Sequence, residues 1–132
     1  MRYLLDTNIV SDLIRDPQGR VTSRIREVGE AQVATSIIVA AELRFGAAKL
    51  ASPRFSAAVE AWLAGFDVRP WPVAATAHYA QTRAALERSG TPIGGMDLLI
   101  AAHAIAEDSV VVTNNAREFL RVPGLAVEEW PL

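Results

Sequence analysis

The stretch Arg2-Tyr3-Leu4-Leu5-Asp6-Thr7-Asn8-Ile9-Val10 sets an apolar run of strand length directly against a polar triplet. Asp6-Thr7-Asn8 supplies turn and N-cap chemistry, and Ile9, Val10, Leu13 and Ile14 then recur at helical spacing. A strand over 2–5 therefore hands over to a helix, with Asp6 at the strand's carboxyl end. The same hand-over recurs along the chain. A strand over 31–35 closes on Thr35-Ser36 and passes into an amphipathic helix over 37–51, marked by Val39, Leu43, Ala47 and Leu50 and ended by Pro53. Residues 109–113 carry three consecutive valines, as a strand buried on both faces does, and close on Thr113-Asn114-Asn115. A turn and short helix over 114–119 follow. Further helices are predicted over 21–28, 55–64, 72–88 and 96–107, with an edge strand or connector over 66–71 and a last strand over 125–128. This alternation is the pattern of an α/β domain with a mostly parallel sheet. No repeat and no linker interrupts it, so residues 1–132 read as one domain.

Composition narrows the function classes. With 132 residues, 51% hydrophobic and 21% charged, the chain is that of a folded domain able to bury about two thirds of its unfolded surface. Its 13 Lys and Arg against 15 Asp and Glu leave a formal charge of −2, which excludes a polycation that binds nucleic acid by overall charge. Zero cysteines exclude disulfides, thiolate zinc sites and cysteine nucleophiles. The N-terminus lacks the apolar stretch of a signal peptide, and the most apolar window, 98–106, is about half of what spans a bilayer. A soluble, cytoplasmic protein with no membrane association is expected.

In open α/β sheets ligands bind outside the carboxyl ends of the strands. Asp6-Thr7-Asn8, Thr35-Ser36 and Thr113-Asn114-Asn115 all fall at such ends. Two more carboxylates stand among apolar neighbours: Glu42, with Ile38 and Phe45 on its helical face, and Asp97, with Ile100 and Ala101 on its own. Desolvating them is costly without a partner. Taken alone, Asp6 is either an N-cap or a ligand, Asp97 either a favourable charge at a helix start or a ligand, and Glu42 either solvent-facing or functional. Taken together, Asp6, Glu42 and Asp97 without histidine or cysteine nearby fit Mg2+ or Mn2+ and disfavour zinc. Such a site suits phosphodiester chemistry, in which one ion activates a water and a second, about 3.5–4 Å away, stabilises the leaving oxygen. His78 reads as a surface residue and His103 as a packing residue. Arg15, Arg20, Arg24, Arg44, Arg83 and Arg117 read as solvated, with two or three available to phosphate.

Four segments carry a resemblance: Tyr3-Leu4-Leu5-Asp6-Thr7-Asn8, Ala41-Glu42-Leu43-Arg44-Phe45-Gly46, residues 93–104 around Gly94-Gly95-Met96-Asp97, and Val112-Thr113-Asn114-Asn115-Ala116-Arg117-Glu118-Phe119. In order and spacing they resemble the motifs of PIN-domain proteins, in particular VapC-type toxins of toxin–antitoxin pairs. The resemblance implies an α/β/α sandwich around a central, mostly parallel twisted sheet. It also implies metal-dependent endoribonuclease activity that arrests growth, a VapB-type antitoxin partner and a homodimer. By that match Asp6, Glu42 and Asp97 are the catalytic metal-binding carboxylates, with Mg2+ or Mn2+ as cofactor, and Asn8 and Thr113 support the site. The sequence departs from the pattern at Asn115, where many relatives of this family hold a fourth acid. Glu118, one helical turn on, is the alternative. Two rival readings are an RNA-processing PIN nuclease that is not a toxin and a catalytically weak RNA-binding module. A phosphatase using Asp6 as nucleophile is disfavoured because Asn8 stands where such enzymes commonly hold a second aspartate.

Overall fold

Strand β4 (Ser109–Thr113) is buried at every position. Successive side chains of a strand point to opposite faces, so a strand buried throughout must be covered on both sides. The computed structural model describes residues 2–132 and shows this three-layer arrangement. β1 (Arg2–Leu5), β2 (Val33–Ser36), β3 (Val68–Arg69), β4 and β5 (Val127–Glu129) form one sheet in the order β3-β2-β1-β4-β5, with every pairing parallel. The register sets Leu5 opposite Thr35 on one side and Val112 on the other. Helices α1 (Thr7–Arg15) and α2 (Arg20–Val28) link β1 to β2, and α3 (Ile37–Leu50) and α4 (Pro53–Gly65) link β2 to β3. The return to β4 is made by α5 (Ala75–Arg88) and α6 (Gly95–Ala106). The core runs through Leu4, Leu5, Ile9, Val39, Ile100 and Val111, all fully buried.

Local chemistry accounts for the boundaries. Asp6 caps α1 by accepting from the Ile9 amide at 3.1 Å, and Ser36 caps α3 by accepting from the Ile38 amide at 3.1 Å. Pro53, expected only to end α3, is the first residue of α4: Ser52 accepts from the Phe55 amide, and proline at N1 has no amide proton to lose. The strand expected from residue 31 begins at Val33. Glu30–Gln32 form a single 3-10 turn after Gly29, whose φ of 97° favours glycine, and burial starts only at Val33. The helix expected from residue 72 starts at Ala75, and the short helix expected over 114–119 is a 3-10 turn over Phe119–Arg121. Of the segment 66–71, expected as an edge strand or connector because it carries Asp67, Arg69 and Pro70, only the two residues of β3 form a strand, at the sheet edge. Among the described residues, no helix is long and apolar enough to cross a membrane.

Two contacts fasten the sheet's carboxyl edge. Trp130 is 2% exposed, its amide donates to the Thr113 carbonyl at 2.9 Å, and its ring lies 5.8 Å from that of Tyr3. His103, fully buried as expected of a packing residue, places Nδ1 2.8 Å from Ser36 Oγ and so ties α6 to the start of α3. Truncating a buried tryptophan costs about 3–5 kcal/mol. Trp130→Ala is therefore expected to lower the melting temperature by about 10–20 °C in calorimetry, and a shift of only a degree or two would show that β5 does not fasten β4.

Candidate active site

The strand order places the site. β1 continues through β2 to β3 on one side, while β4 lies on the other, so the β1/β4 junction is the point where the winding reverses and a crevice opens beyond the strand ends. Asp6 occupies that point. Its amide donates to the Val112 carbonyl at 2.9 Å, extending the β1–β4 ladder by one residue, and the residue is 6% exposed. It is thus an N-cap and a crevice carboxylate at once. Burial pushes its pKa above the ordinary value, against the opposing pull of the Thr113 side chain and the Ile9 and Asn8 amides, and the charge of Glu42 pushes it further up.

The other carboxylates arrive from helices that begin at the same end of the sheet. Glu42, in the second turn of α3, accepts from Thr7 Oγ1 at 2.6 Å. Its helical neighbour Phe45 is 68% exposed, and Glu42, itself half-buried, lines a groove with Thr7 and Asn8 rather than the apolar surroundings its spacing suggested. Asp97 lies in the first turn of α6 and is half-buried. Its pKa is pushed up to about 7, first by burial, then by hydrogen-bonding contact with Glu118, then by the negative charges of Glu118, Asp6 and Glu42. Two carboxyl groups can share such a bond only when one holds a proton. Glu118 Oε1 accepts from the Gly94 amide at 2.9 Å. A methyl group on Gly94 would come to 3.4 Å from Glu118 Oε1 and 3.9 Å from Asp97 Oδ2, ordinary contact distances that place this loop against both carboxyls.

The structure therefore gathers Asp6, Glu42, Asp97 and Glu118, with Thr113 beneath them, fully buried. Asn8 and Asn115 are exposed at the rim. Asn115 is bound to Thr113 through its backbone, its amide donating to Thr113 Oγ1 at 3.0 Å, and it is Glu118 that reaches Asp97. Thr7 was missed as a site residue. It was legible only as the middle of Asp6-Thr7-Asn8, and its partner is 35 residues away.

Among the described residues, no Lys, Arg or His nitrogen stands within 4 Å of any of the four carboxyls, whereas Arg24, Arg44, Arg69 and Arg83 all pair with acids elsewhere. Nor, among the described residues, do any three His, Cys, Asp or Glu side chains stand close enough together to hold a metal ion by themselves. Thr7 and Gly94 hold Glu42 and Glu118 by one neutral hydrogen-bond donor each. An all-oxygen set of mutually repelling carboxyls, open to solvent on one side, fits a hard divalent cation that keeps several of its waters, and it offers nothing to a soft one.

Comparison with known proteins agrees with this geometry. The PIN-domain family model matches residues 3–125. The tRNA(fMet)-specific endonuclease VapC of Salmonella typhimurium is 38% identical over 131 residues, covering 98% of each chain. The DNA-bound VapBC structure from Salmonella typhimurium superposes with a TM-score of 0.90 at 38% identity, covering 99% of both chains. VapBC2 of Rickettsia felis, bound to a DNA fragment from its promoter, gives 0.89 at 35% identity over 99% of this chain and 100% of that one. The chain belongs to the PIN-domain family, among its VapC proteins.

A raised carboxyl pKa means that the folded state holds a proton that the unfolded chain, with its aspartate near 3.8, has released. The stability contributed by that proton is complete below pH 4 and is lost as the pH rises through about 7. In chelator, Asp97→Asn is therefore expected to raise the melting temperature at pH 8 and to change it little at pH 4. The expected gain is on the order of 1–2 kcal/mol after allowance for solvent screening of a half-buried group. Equal effects at the two pH values would show that Asp97 is not held protonated by its neighbours.

Proposed function

We propose that this chain is the endoribonuclease toxin of a toxin–antitoxin pair, cutting RNA phosphodiesters with Mg2+ or Mn2+ and restrained by a VapB-type antitoxin. The observation that carries this reading is the convergence of Asp6, Glu42, Asp97 and Glu118 at the β1/β4 crevice with no basic side chain among the described residues to neutralise them. The VapC names of the relatives and the VapBC complexes among the similar structures support the toxin and its partner.

Asp6 and Asp97 are the principal metal ligands in this reading. Glu42, held by Thr7, is a further ligand or orients the attacking water, and Glu118 takes the fourth-acid place rather than Asn115. A bound divalent ion supplies a water of lowered pKa and a counter-charge for the leaving oxygen. Thr113 supports Asp6 from below, Asn8 lines the rim, and Gly94 keeps Glu118 turned toward Asp97. The whole of residues 1–132 acts as one domain, in the cytoplasm, as a homodimer. The binding-module alternative rested on the amide at 115, and the contact of Glu118 with Asp97 speaks against it. A non-toxin processing nuclease is disfavoured by relatives that match from end to end and carry the VapC name.

Even outer partners of metal ligands are worth about 10–100-fold. Asp97→Asn is expected to lower RNA cleavage at least about 100-fold, Glu118→Gln and Thr7→Val about 10–100-fold, and Asn115→Ala very little. Chelator should abolish cleavage and Mg2+ or Mn2+ restore it. The assay is end-mapping of RNA cut by nuclease-free protein, with initiator tRNA as first substrate because a 38%-identical relative is named for it. Wild-type cleavage by Asp97→Asn would overturn the reading. So would growth unaffected by controlled expression of a chain that is folded and free of antitoxin.

A further inference from the structure

A groove leads away from the carboxylates, walled by two helices. Asn8, Ser11 and Arg15 stand at i, i+3 and i+7 on α1 and share one face, while Glu42, Gly46 and Leu50 stand at i, i+4 and i+8 on α3 and share another. Between them lies a cleft of about 130 Å³ that begins at Glu42 and Asn8 and ends at Phe55 of α4. Arg15 is about 10 Å along α1 from Asn8.

Two features of the groove have no explanation in packing. Arg15 sits with its guanidinium carbon 4.9 Å from the centre of the Phe55 ring, and among the described residues it makes neither an ion pair nor a hydrogen bond. The ring holds the guanidinium at that spot while its N–H groups stay uncommitted and free to take a phosphate. Gly46 lies inside α3, where glycine costs about 1 kcal/mol relative to alanine. A Cβ on it would meet nothing within 4 Å, so no close packing demands a glycine there. The space it leaves open belongs to the groove, one helical turn beyond Glu42.

We propose that this groove seats the nucleotide next to the scissile phosphodiester of a single-stranded RNA. Arg15, braced on Phe55, takes its phosphate, and the gap at Gly46 admits the edge of its base beside Leu50. The proposal rests on the nuclease reading of the carboxylate crevice and extends it to the substrate path. The cleft is too small for a duplex. It joins apolar surface at Leu50 and Gly46 to a single cation held against an aromatic ring, a combination suited to an unpaired nucleotide. An acidic peptide of a protein partner is the competing occupant, disfavoured because the groove opens directly onto Glu42.

The test measures binding, so that it does not depend on cutting. Anisotropy of an end-labelled single-stranded RNA is followed across a salt series, with Ca2+ in place of Mg2+, for wild type, Arg15→Gln, Arg15→Lys and Gly46→Leu. Arg15→Gln is expected to weaken binding about 10-fold and to lower the slope of log K against log salt by about 0.7, the loss of one phosphate contact on a single strand. Arg15→Lys should restore the slope and only part of the affinity. Gly46→Leu should weaken binding about as much with the slope unchanged and the melting temperature no lower. If that chain does not fold, the Arg15 pair decides alone. Unchanged affinity and slope in Arg15→Gln, or wild-type affinity in a folded Gly46→Leu, overturns the groove whatever the protein cuts. A wild type that binds in an Arg15-dependent way yet never cleaves RNA overturns the nuclease reading and leaves the groove standing.

Discussion

Four carboxyl side chains meet where β1 and β4 end, and among the described residues no cation stands within 4 Å of them. Bringing like charges together out of water opposes folding, and the protein meets the cost partly by keeping a proton on Asp97 near neutral pH. The rest of the structure holds the arrangement against its own repulsion. Parallel pairing fixes Leu5 beside Val112, the Asp6 amide continues that ladder, and Trp130 grips the Thr113 carbonyl from the sheet edge. Rigidity beneath the crevice is supplied by fully buried side chains such as Leu5, Ile9 and Val112.

Charge is segregated accordingly. Arg44 pairs with Glu60, Arg83 with Glu87, and Arg24 with Glu27 and Glu128, all on exposed faces where such pairs are worth little. A second polar network is kept apart from the crevice. Ser36, His103, Glu107 and Arg69 connect α3, α6 and β3, with burial holding the His103 pKa below its ordinary value so that the ring packs neutral. Its Nε2 lies 3.4 Å from Glu107 yet makes no well-formed hydrogen bond, and the Arg69–Glu107 contact at 2.6 Å is the firmer of the two. A chain of formal charge −2 can thus act on a polyanion. Four of the acids that count against RNA in the net charge meet at the β1/β4 crevice, and Arg15, two turns along α1 from Asn8, stays unpaired.

Local pattern made much of this legible. Strand, polar cluster and helix follow one another at 2–15 and again at 33–50 because strand ends and helix caps obey nearest-neighbour chemistry, and the three valines of β4 announced a strand covered on both faces. Asp6 was picked out by its place at a strand's carboxyl end, Glu42 and Asp97 as carboxylates among apolar neighbours where burial is expensive, and the three charges act on one another. Boundaries were harder. Pro53 served as the start of α4 as well as the stop of α3, and Glu30–Gln32 made a 3-10 turn in place of strand, since burial rather than β-propensity sets where a short strand begins.

By itself the sequence determined the alternation of elements, the class of sheet and the kind of ligand its hard, thiol-free donors suit. Only the tertiary structure decided that Glu118 and not Asn115 reaches Asp97, that Thr7 holds Glu42 across 35 residues, and that Arg15 rests on Phe55 beside an open Gly46. The reason is physical. Capping and periodicity act within a turn or two of chain, whereas these contacts join elements that only the order β3-β2-β1-β4-β5 makes neighbours.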